Sequence, residues 1–164
     1  MTLEKNELIH KIGRVDIEDF TDYMKTLAYR TDSYKSSFGR RTLPIALELT
    51  GNHKDPDAVE AYRDARIEIF LDRILPRWGI ALALHYQPGG GILPHRDAAG
   101  YGFEAVSVSS TDFVFRIGSE VHQCKAGEIY LFRTKVLHSV DKLEQERFAL
   151  VAWRANWSKI KVPF

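Results

Sequence analysis

The sequence predicts an α+β fold that is mainly β: a double-stranded β-helix (jelly-roll) barrel supported by two N-terminal helices. Two observations lead to this prediction. From residue 80 onward, short apolar runs separated by turn residues follow one another, as expected for a series of antiparallel strands. Before residue 80, two stretches carry apolar residues at helical spacing instead. Short antiparallel strands in this number suit a jelly roll, and the helices would pack on one face of its larger sheet.

The N-terminal part is predicted to be helical with loops. Asp16 can cap the first helix, whose apolar positions follow at helical spacing. The second helix is predicted to start at Asp55-Pro56, because a proline in the first turn loses no hydrogen bond there, and to end at about residue 75. Between the helices, residues 31–42 are polar, and the segment from Tyr34 to Arg41 indicates either a solvated loop or a substrate lid with basic contacts. A short strand is expected over residues 43–49.

The predicted barrel has eight strands, at about residues 80–87, 92–96, 104–110, 112–118, 120–124, 128–133, 136–140 and 147–154. Three glycines, Gly89 to Gly91, separate the first two of them. They indicate either a flexible lid or a tight connection between strands. A chain of 164 residues fits one domain, with helical support over about 1–79 and the barrel core over about 80–154.

The composition is that of an ordinary globular protein, with 45% hydrophobic and 27% charged residues. A net charge of +1 counts against a strong binder of polyanions. The one cysteine, Cys124, allows no internal disulfide, which favours a reducing cytoplasm. The N-terminus lacks the apolar core of a signal peptide, and no apolar run approaches the length of a membrane span.

The segment His95-Arg96-Asp97 is the most informative motif of the chain. In an extended segment, residues i and i+2 point to the same side, so His95 and Asp97 can hold one ion from a single strand end. His138 follows 41 residues after Asp97, on another predicted strand. Two imidazoles and one carboxylate form the facial triad that holds non-heme Fe(II) and leaves positions open. The sequence therefore predicts a metal site formed by His95, Asp97 and His138.

Two further residues, one on each side of the metal motif, lie at the ends of predicted strands. Arg147 follows His138 by nine residues, at the start of the last predicted strand. Its planar, permanently charged fork suits a carboxylate. Tyr86 precedes His95 by nine residues, at the end of a predicted strand.

With these residues in place, residues 80 to 154 resemble the Fe(II)/2-oxoglutarate-dependent dioxygenases. The segment Tyr86-Gln87-Pro88-Gly89, with Val106 to Ser109 after the metal motif, is similar to the AlkB-type dealkylases. The short step from His138 to Arg147 is more similar to the prolyl-hydroxylase branch. The chain also departs from the AlkB pattern, because Leu84 stands where that family has asparagine. In addition, Arg154 follows Arg147 by seven residues rather than six, which places it on the other face of the strand.

The resemblance implies a catalytic centre and a cofactor set. Fe(II) would be held by His95, Asp97 and His138. 2-Oxoglutarate would chelate the metal at one end and bind Arg147 at the other, with Tyr86 as a second hydrogen-bond partner. O₂ would be the remaining co-substrate, and the chain would be an oxidoreductase that hydroxylates or oxidatively demethylates its substrate while releasing succinate and CO₂.

The substrate class stays open at this point. A modified nucleobase is expected from the AlkB-like segment. The neutral net charge, the short chain and the Arg147 spacing favour a protein side chain or a small molecule. A cupin-like module that binds a metal without turnover is an alternative of a different class, and Arg147 counts against it, because a purely metal-binding barrel needs no buried arginine.

Overall fold

The computed structural model describes residues 2–162, which form two helices and twelve strands. The helices are α1 (Ile17–Lys25) and α2 (Ala65–Ile74), and a 3-10 helix spans Trp157–Lys159. In chain order, the strands are β1 (Ile9–Arg14), β2 (Arg30–Thr31), β3 (Ser37–Ile45), β4 (Leu47–Thr50), β5 (Asp57–Glu60), β6 (Ile80–His95), β7 (Tyr101–Ser109), β8 (Phe113–Ile117), β9 (Glu120–Cys124), β10 (Glu128–Arg133), β11 (His138–Val140) and β12 (Arg147–Ala155).

Ten of these strands form one curled antiparallel sheet, a mainly β jelly roll with two helices, as predicted. The strand order along it is β1-β10-β7-β12-β6-β11-β8-β9, and β3 also pairs with β6. The central strand β6 has 16 residues. Its first half lies between β12 and β3, whereas its second half pairs with β11, so β6 passes from one face of the barrel to the other. The segments predicted as separate strands at 80–87 and 92–96 are therefore one continuous strand.

The side chains of β6 alternate between two apolar layers. Ala81 and Ala83 point outward and pack with α1 and α2 through Met24, Ile67 and Leu71. The alternate residues of the same strand face the barrel interior, together with the aromatic side chains of β8 and β10. The strand period of two thus separates a layer that supports the sheet from a layer that lines the interior.

Helix α1 begins where the sequence predicts, because the Asp16 side chain accepts a hydrogen bond from the Asp19 N–H (3.0 Å). The predicted start of the second helix at Asp55-Pro56 is wrong. Residues 57–60 form β5, which pairs with β4, and α2 begins only at Ala65. Asp64 is its cap, since its carboxylate accepts a hydrogen bond from the Ile67 N–H (2.9 Å). The first 79 residues are therefore not purely helical support, because they also contain β1 to β5.

The polar segment 31–42 is not a solvated loop over its second half. Residues 37–45 form β3, which pairs with β6 through Arg40 opposite Tyr86, Thr42 opposite Leu84 and Pro44 opposite Leu82. Because Leu82, Leu84 and Tyr86 face the interior, β3 presents its own alternate residues to the interior as well. We call residues 30–60 the N-terminal arm.

The arm contacts the barrel through two glycines. A Cβ atom on Gly90 would lie 2.4 Å from the carbonyl oxygen of Gly39, and one on Gly39 would lie 2.8 Å from Cα of Gly90. Gly39 also has a φ of +59°, a conformation that favours glycine. The three glycines predicted to form a lid or a tight connection thus belong to β6, and Gly90 is the one that makes close backbone contact with β3. Across residues 2–162, the structure contains no helix long and apolar enough to cross a membrane.

Candidate active site

The register of two neighbouring strands brings the predicted metal-binding side chains together. His138 of β11 lies directly opposite His95 at the end of β6. Asp97 follows in the next turn, where its N–H donates to the carbonyl of Thr134 (3.1 Å). One carboxylate oxygen of Asp97 lies 3.3 Å from Nε2 of His95 and 3.2 Å from Nε2 of His138. One donor atom from each of the three residues lies within 4.8 Å of the others.

Both imidazoles are held with the same nitrogen directed at this centre. Nδ1–H of His95 donates to the carbonyl of Leu93 (2.8 Å), and Nδ1–H of His138 donates to the carbonyl of Val136 (2.7 Å). Each backbone carbonyl binds Nδ1 and so orients the ring with Nε2 directed at the centre. The phenyl rings of Phe115 and Phe132 pack against His138, with ring centroids 5.8 and 5.3 Å away.

Asp97 is held at both carboxylate oxygens. Oδ1 faces the two imidazoles, whereas Oδ2 accepts a hydrogen bond from the indole N–H of Trp153 (2.8 Å). Burial by itself would raise the pKa of Asp97, but the hydrogen bonds from His138, His95 and Trp153 outweigh it and hold the pKa well below its usual range. The carboxylate is therefore ionised and oriented, as a metal ligand must be.

An unpaired cation lies deeper in the barrel. Arg147, at the start of β12, is 3% exposed and lies opposite Tyr86 of β6. Its guanidinium carbon is 4.2 Å from the centroid of the Tyr86 ring and 4.6 Å from that of Phe113. Burial lowers the pKa of Arg147, and no carboxylate among residues 2–162 pairs with it. Because an isolated buried charge is costly, this guanidinium marks a site for an anion.

A second arginine, not identified from the sequence, lies on the other side of Tyr86. Arg40 of β3 is the register partner of Tyr86, and its Nη1 donates to the tyrosine hydroxyl (3.3 Å). Unlike Arg147, Arg40 has a partner, because its Nε donates to Asp32 (2.5 Å) in an ion pair whose two side chains are each 7% exposed. The signal for it in the sequence is the alternation of residues along β3, which the polar composition of residues 31–42 conceals.

The structure brings all five predicted site residues to one cavity. This inner pocket is lined by His95, Asp97, His138, Tyr86 and Arg147 among apolar side chains. Arg154, excluded from the site on the basis of its spacing, lies outside the pocket and donates to the carbonyl of Pro76 (2.9 Å). Trp153, which the sequence does not mark as a site residue, also contacts the site through Asp97.

A larger cavity opens on the other side of the same centre. This outer cleft has a volume of about 580 Å³, against about 70 Å³ for the inner pocket. Its floor contains His95, Asp97, Tyr101 and Trp153, and its walls come from the N-terminal arm. The candidate centre therefore lies at the boundary between a small enclosed space and a wider one of the size that ligand sites usually have.

No protein-family model matches the sequence, and no curated protein matches it significantly. Solved structures do match the fold. A prolyl-4-hydroxylase from Pseudomonas putida superposes with a TM-score of 0.64 at 10% identity, over 90% of this chain and 92% of that one. OsALKBH1 superposes with a TM-score of 0.60 at 13% identity, over 85% and 91% of the two chains.

HygX from Streptomyces hygroscopicus, whose structure holds nickel, 2-oxoglutarate and hygromycin B, superposes with a TM-score of 0.58 at 10% identity, over 88% of this chain and 81% of HygX. At these identities the likeness concerns the fold. Hydroxylase and AlkB-homologue structures match about equally well, so the comparison does not favour either branch. The chain thus has the jelly-roll fold shared by structures of Fe(II)/2-oxoglutarate-dependent oxygenases.

Proposed function

We propose that the protein is an Fe(II)/2-oxoglutarate-dependent oxygenase. The observation that carries the proposal is the combination of two groups in one pocket: a His95–Asp97–His138 cluster with converging donor atoms, and the buried, unpaired guanidinium of Arg147. The fold of the solved structures described above supports it. We also propose that residues 1–164 form a single oxygenase domain, because β1 and β3 of the N-terminal part pair with β10 and β6 of the barrel.

The donor set fits ferrous iron. Two imidazole nitrogens and one carboxylate oxygen on one side of an ion make the facial arrangement of non-heme Fe(II) oxygenases, which leaves the remaining positions free. His95, Asp97 and His138 would hold the ion. Their orientation is set before the metal binds, through the carbonyls of Leu93 and Val136 and the indole of Trp153.

The inner pocket fits the far end of 2-oxoglutarate. Arg147 offers a fork of N–H donors that matches a carboxylate, and a carboxylate there would remove the cost of its isolated charge. The Tyr86 hydroxyl, already bound by Arg40, is an additional hydrogen-bonding group at the same place. The Asp32 carboxylate offsets the charge of Arg40, so one positive charge in the pocket, that of Arg147, is left for the dicarboxylate.

When bound, the iron would couple the oxidative decarboxylation of 2-oxoglutarate by O₂ to the oxidation of a substrate C–H bond. The residues of this chain would bind and orient the reactants. Asp97 and the two histidines would present one face of the metal to them. The phenyl rings of Phe115 and Phe132 against His138 would exclude water from the inner side.

The experiment is an assay of purified protein with Fe(II), 2-oxoglutarate and O₂, in which succinate is measured without added substrate. We expect slow succinate formation that is lost in His95→Ala, Asp97→Ala and His138→Ala. His122→Ala is the matched control, because that imidazole lies on β9 and pairs with Glu120. In anaerobic titrations, 2-oxoglutarate should produce a visible metal-to-ligand charge-transfer band. Absence of metal binding and of this band would sink the proposal.

A cupin-like module that binds a metal without turnover remains the second candidate. It shares the barrel and the three metal-binding side chains. The anaerobic titration separates the two, because a metal-binding module has no reason to bind 2-oxoglutarate at Arg147.

Hydroxylation and oxidative demethylation are both compatible with the site. The substrate would be a modified nucleobase, as in AlkB-like enzymes, a protein side chain or a small molecule. A cytoplasmic location is also part of this proposal, on the basis of the free, buried Cys124.

A further inference from the structure

The outer cleft is placed to hold the molecule that is oxidised. It contains His95 and Asp97 of the candidate metal centre, whereas Arg147 lies only in the inner pocket. A molecule in the cleft would therefore approach the centre from the side opposite the anion site. The charges, the hydroxyl groups and the aromatic rings of the cleft indicate what kind of molecule would bind there.

The charges of the cleft are largely neutralised by one another. Arg30 pairs with Glu48, and Arg40 pairs with Asp32, so both arginines of the walls have a carboxylate partner. Lys35 is exposed to solvent. A site for nucleic acid needs a run of free cations for the phosphates, and the affinity of such sites comes largely from those contacts. The cleft does not offer such a run, and the net charge of +1 agrees with this.

Two hydroxyl groups of the cleft belong to side chains that are at least partly buried and have no hydrogen-bond partner within residues 2–162. Tyr101 lies on the floor at the start of β7, and its hydroxyl makes no hydrogen bond to a described residue. Burial raises the pKa of Tyr101, and the charge of Asp97 raises it further, so the phenol keeps its proton. The Thr42 hydroxyl, on the wall formed by β3, is buried without a partner. Such groups are usually satisfied in a native protein, and a polar ligand would satisfy the floor hydroxyl directly.

Aromatic rings surround the approach to the centre. The ring of Tyr34 meets that of His95 edge-on, with centroids 5.6 Å apart. On the floor, the rings of Tyr101 and Trp153 are 4.6 Å apart. Two hydrogen bonds hold the turn that contains Tyr34. The N–H of Tyr34 donates to the Asp32 carboxylate (2.9 Å), and the carbonyl of Ser36 accepts from the N–H of Leu93 on β6 (2.8 Å).

Resting on the proposed function, we propose that the outer cleft binds a small, uncharged polar molecule as the substrate, with a hydrogen-bonding group on the Tyr101 hydroxyl and an apolar part between Tyr34 and Trp153. The volume of about 580 Å³ is that of a site for one small molecule. The aromatic rings would hold its C–H bonds near the metal centre. The neutralised walls would disfavour strands of nucleic acid.

The first test is binding without turnover. Protein loaded with Zn(II), which has no redox chemistry, and with 2-oxoglutarate is examined by saturation-transfer NMR against mixtures of nucleosides, neutral sugars and amino-acid amides. A methylated single-stranded oligonucleotide and an unstructured peptide are examined in parallel. We expect at least one of the small molecules to bind and, with Fe(II) and O₂, to accelerate succinate formation. Binding of only the oligonucleotide or only the peptide would overturn the proposal.

The second test places the bound molecule in the cleft. Tyr101→Phe removes one hydroxyl and keeps the ring against Trp153, so it should weaken binding of the small molecule by about three- to tenfold. Tyr62→Phe is the matched control, because Tyr62 is 48% exposed and lies outside both cavities. Equal affinities for Tyr101→Phe and the wild type would overturn the assignment of the site.

The two proposals fail in different ways. If the charge-transfer band forms with Fe(II) and 2-oxoglutarate but none of the small molecules binds, the inference about the cleft is wrong and the proposed function stands. If the band does not form, the proposed function itself is wrong, and the inference that rests on it falls with it.

Discussion

The inner pocket and the outer cleft share the candidate metal centre but are built in different ways. Four polar side chains of the inner pocket lie on barrel strands, and hydrogen-bonded register places them: His95 opposite His138, and Tyr86 opposite Arg147. The walls of the cleft belong to the N-terminal arm, where short strands and ion pairs hold the chain. On the two proposals above, the barrel would set the chemistry and the N-terminal arm would select the molecule.

Replacing Arg147 should produce the largest difference between the inner pocket and the outer cleft. In Arg147→Met, the affinity for 2-oxoglutarate should fall by roughly a thousandfold, or about 4 kcal/mol, because its carboxylate loses a buried charged partner. The free energy of unfolding without 2-oxoglutarate should stay equal or rise, because an isolated buried charge is gone. Calorimetric titration and urea denaturation measure the two effects. Arg154→Met, on the outer face, is the control, and equal 2-oxoglutarate affinity in both variants would contradict the anion site.

The Asp32–Arg40 pair joins the wall of the cleft to the wall of the pocket. Asp32→Asn leaves the buried guanidinium of Arg40 without its counter-charge, so we expect the free energy of unfolding to fall by about 3 kcal/mol. Glu48→Gln removes the partner of the half-exposed Arg30 and should cost less than about 1 kcal/mol. Chemical denaturation of both variants makes the comparison. Similar losses in the two would mean that the buried pair does not hold the arm.

Trp153 belongs to both regions, since it lines the cleft and donates to the Asp97 carboxylate. Trp153→Phe keeps an aromatic ring but loses the N–H, so the affinity for Co(II) should fall by about tenfold to a hundredfold. Trp78→Phe is the control. The indole N–H that it removes donates to Asp72, which is not part of the candidate metal site, so the metal affinity should not change. Absorption titrations with Co(II) compare the two. A loss shared by both variants would indicate a general effect on folding.

Tyr23 packs in the apolar layer that supports the sheet, and it lines neither the inner pocket nor the outer cleft. Its hydroxyl donates to Asp64 (2.6 Å), the cap of α2. Tyr23→Phe should lower the free energy of unfolding by about 1.5 kcal/mol and leave 2-oxoglutarate affinity unchanged. The bond to Asp64 raises the pKa of Tyr23 from 10.0 to about 12. Because the folded state holds this proton more tightly, the difference between variant and wild type should be complete below pH 10 and vanish as the pH rises through 12. A difference that persists above that range would exclude the hydrogen bond as its cause.

The strands of the barrel could be predicted because apolar residues alternate along them, as expected where one face of a sheet is buried. The positions of His95, Asp97, His138 and Arg147 followed from the same alternation, which fixes the face of each side chain once the strand is known. Trp153 lies six residues after Arg147 and therefore on the same face of β12. The sequence contained the signal for its place in the site, although not its bond to Asp97.

The N-terminal arm could not be predicted in the same way. Residues 55 to 62 carry alanines and a proline that suit a helix, but their backbone bonds go to β4 and to Ala46, and these long-range contacts override the local preference. Asp64 with Glu68 marks the true start of α2, since Glu68 accepts the N–H of Asp64 (2.7 Å). The polar character of β3 conceals a strand, because its inward residues Arg40, Thr42 and Pro44 line a cavity rather than an apolar core.

The contact between Gly39 and Gly90 has a consequence for how such a protein can diversify. No side chain fits between the two backbones, so both positions must stay as they are for the arm to remain against the barrel. Other residues of the arm, such as Leu47, Leu49 and Asn52, line the cleft. New specificities could therefore arise by exchanging a few wall residues while the attachment point and the proposed metal-binding residues stay unchanged.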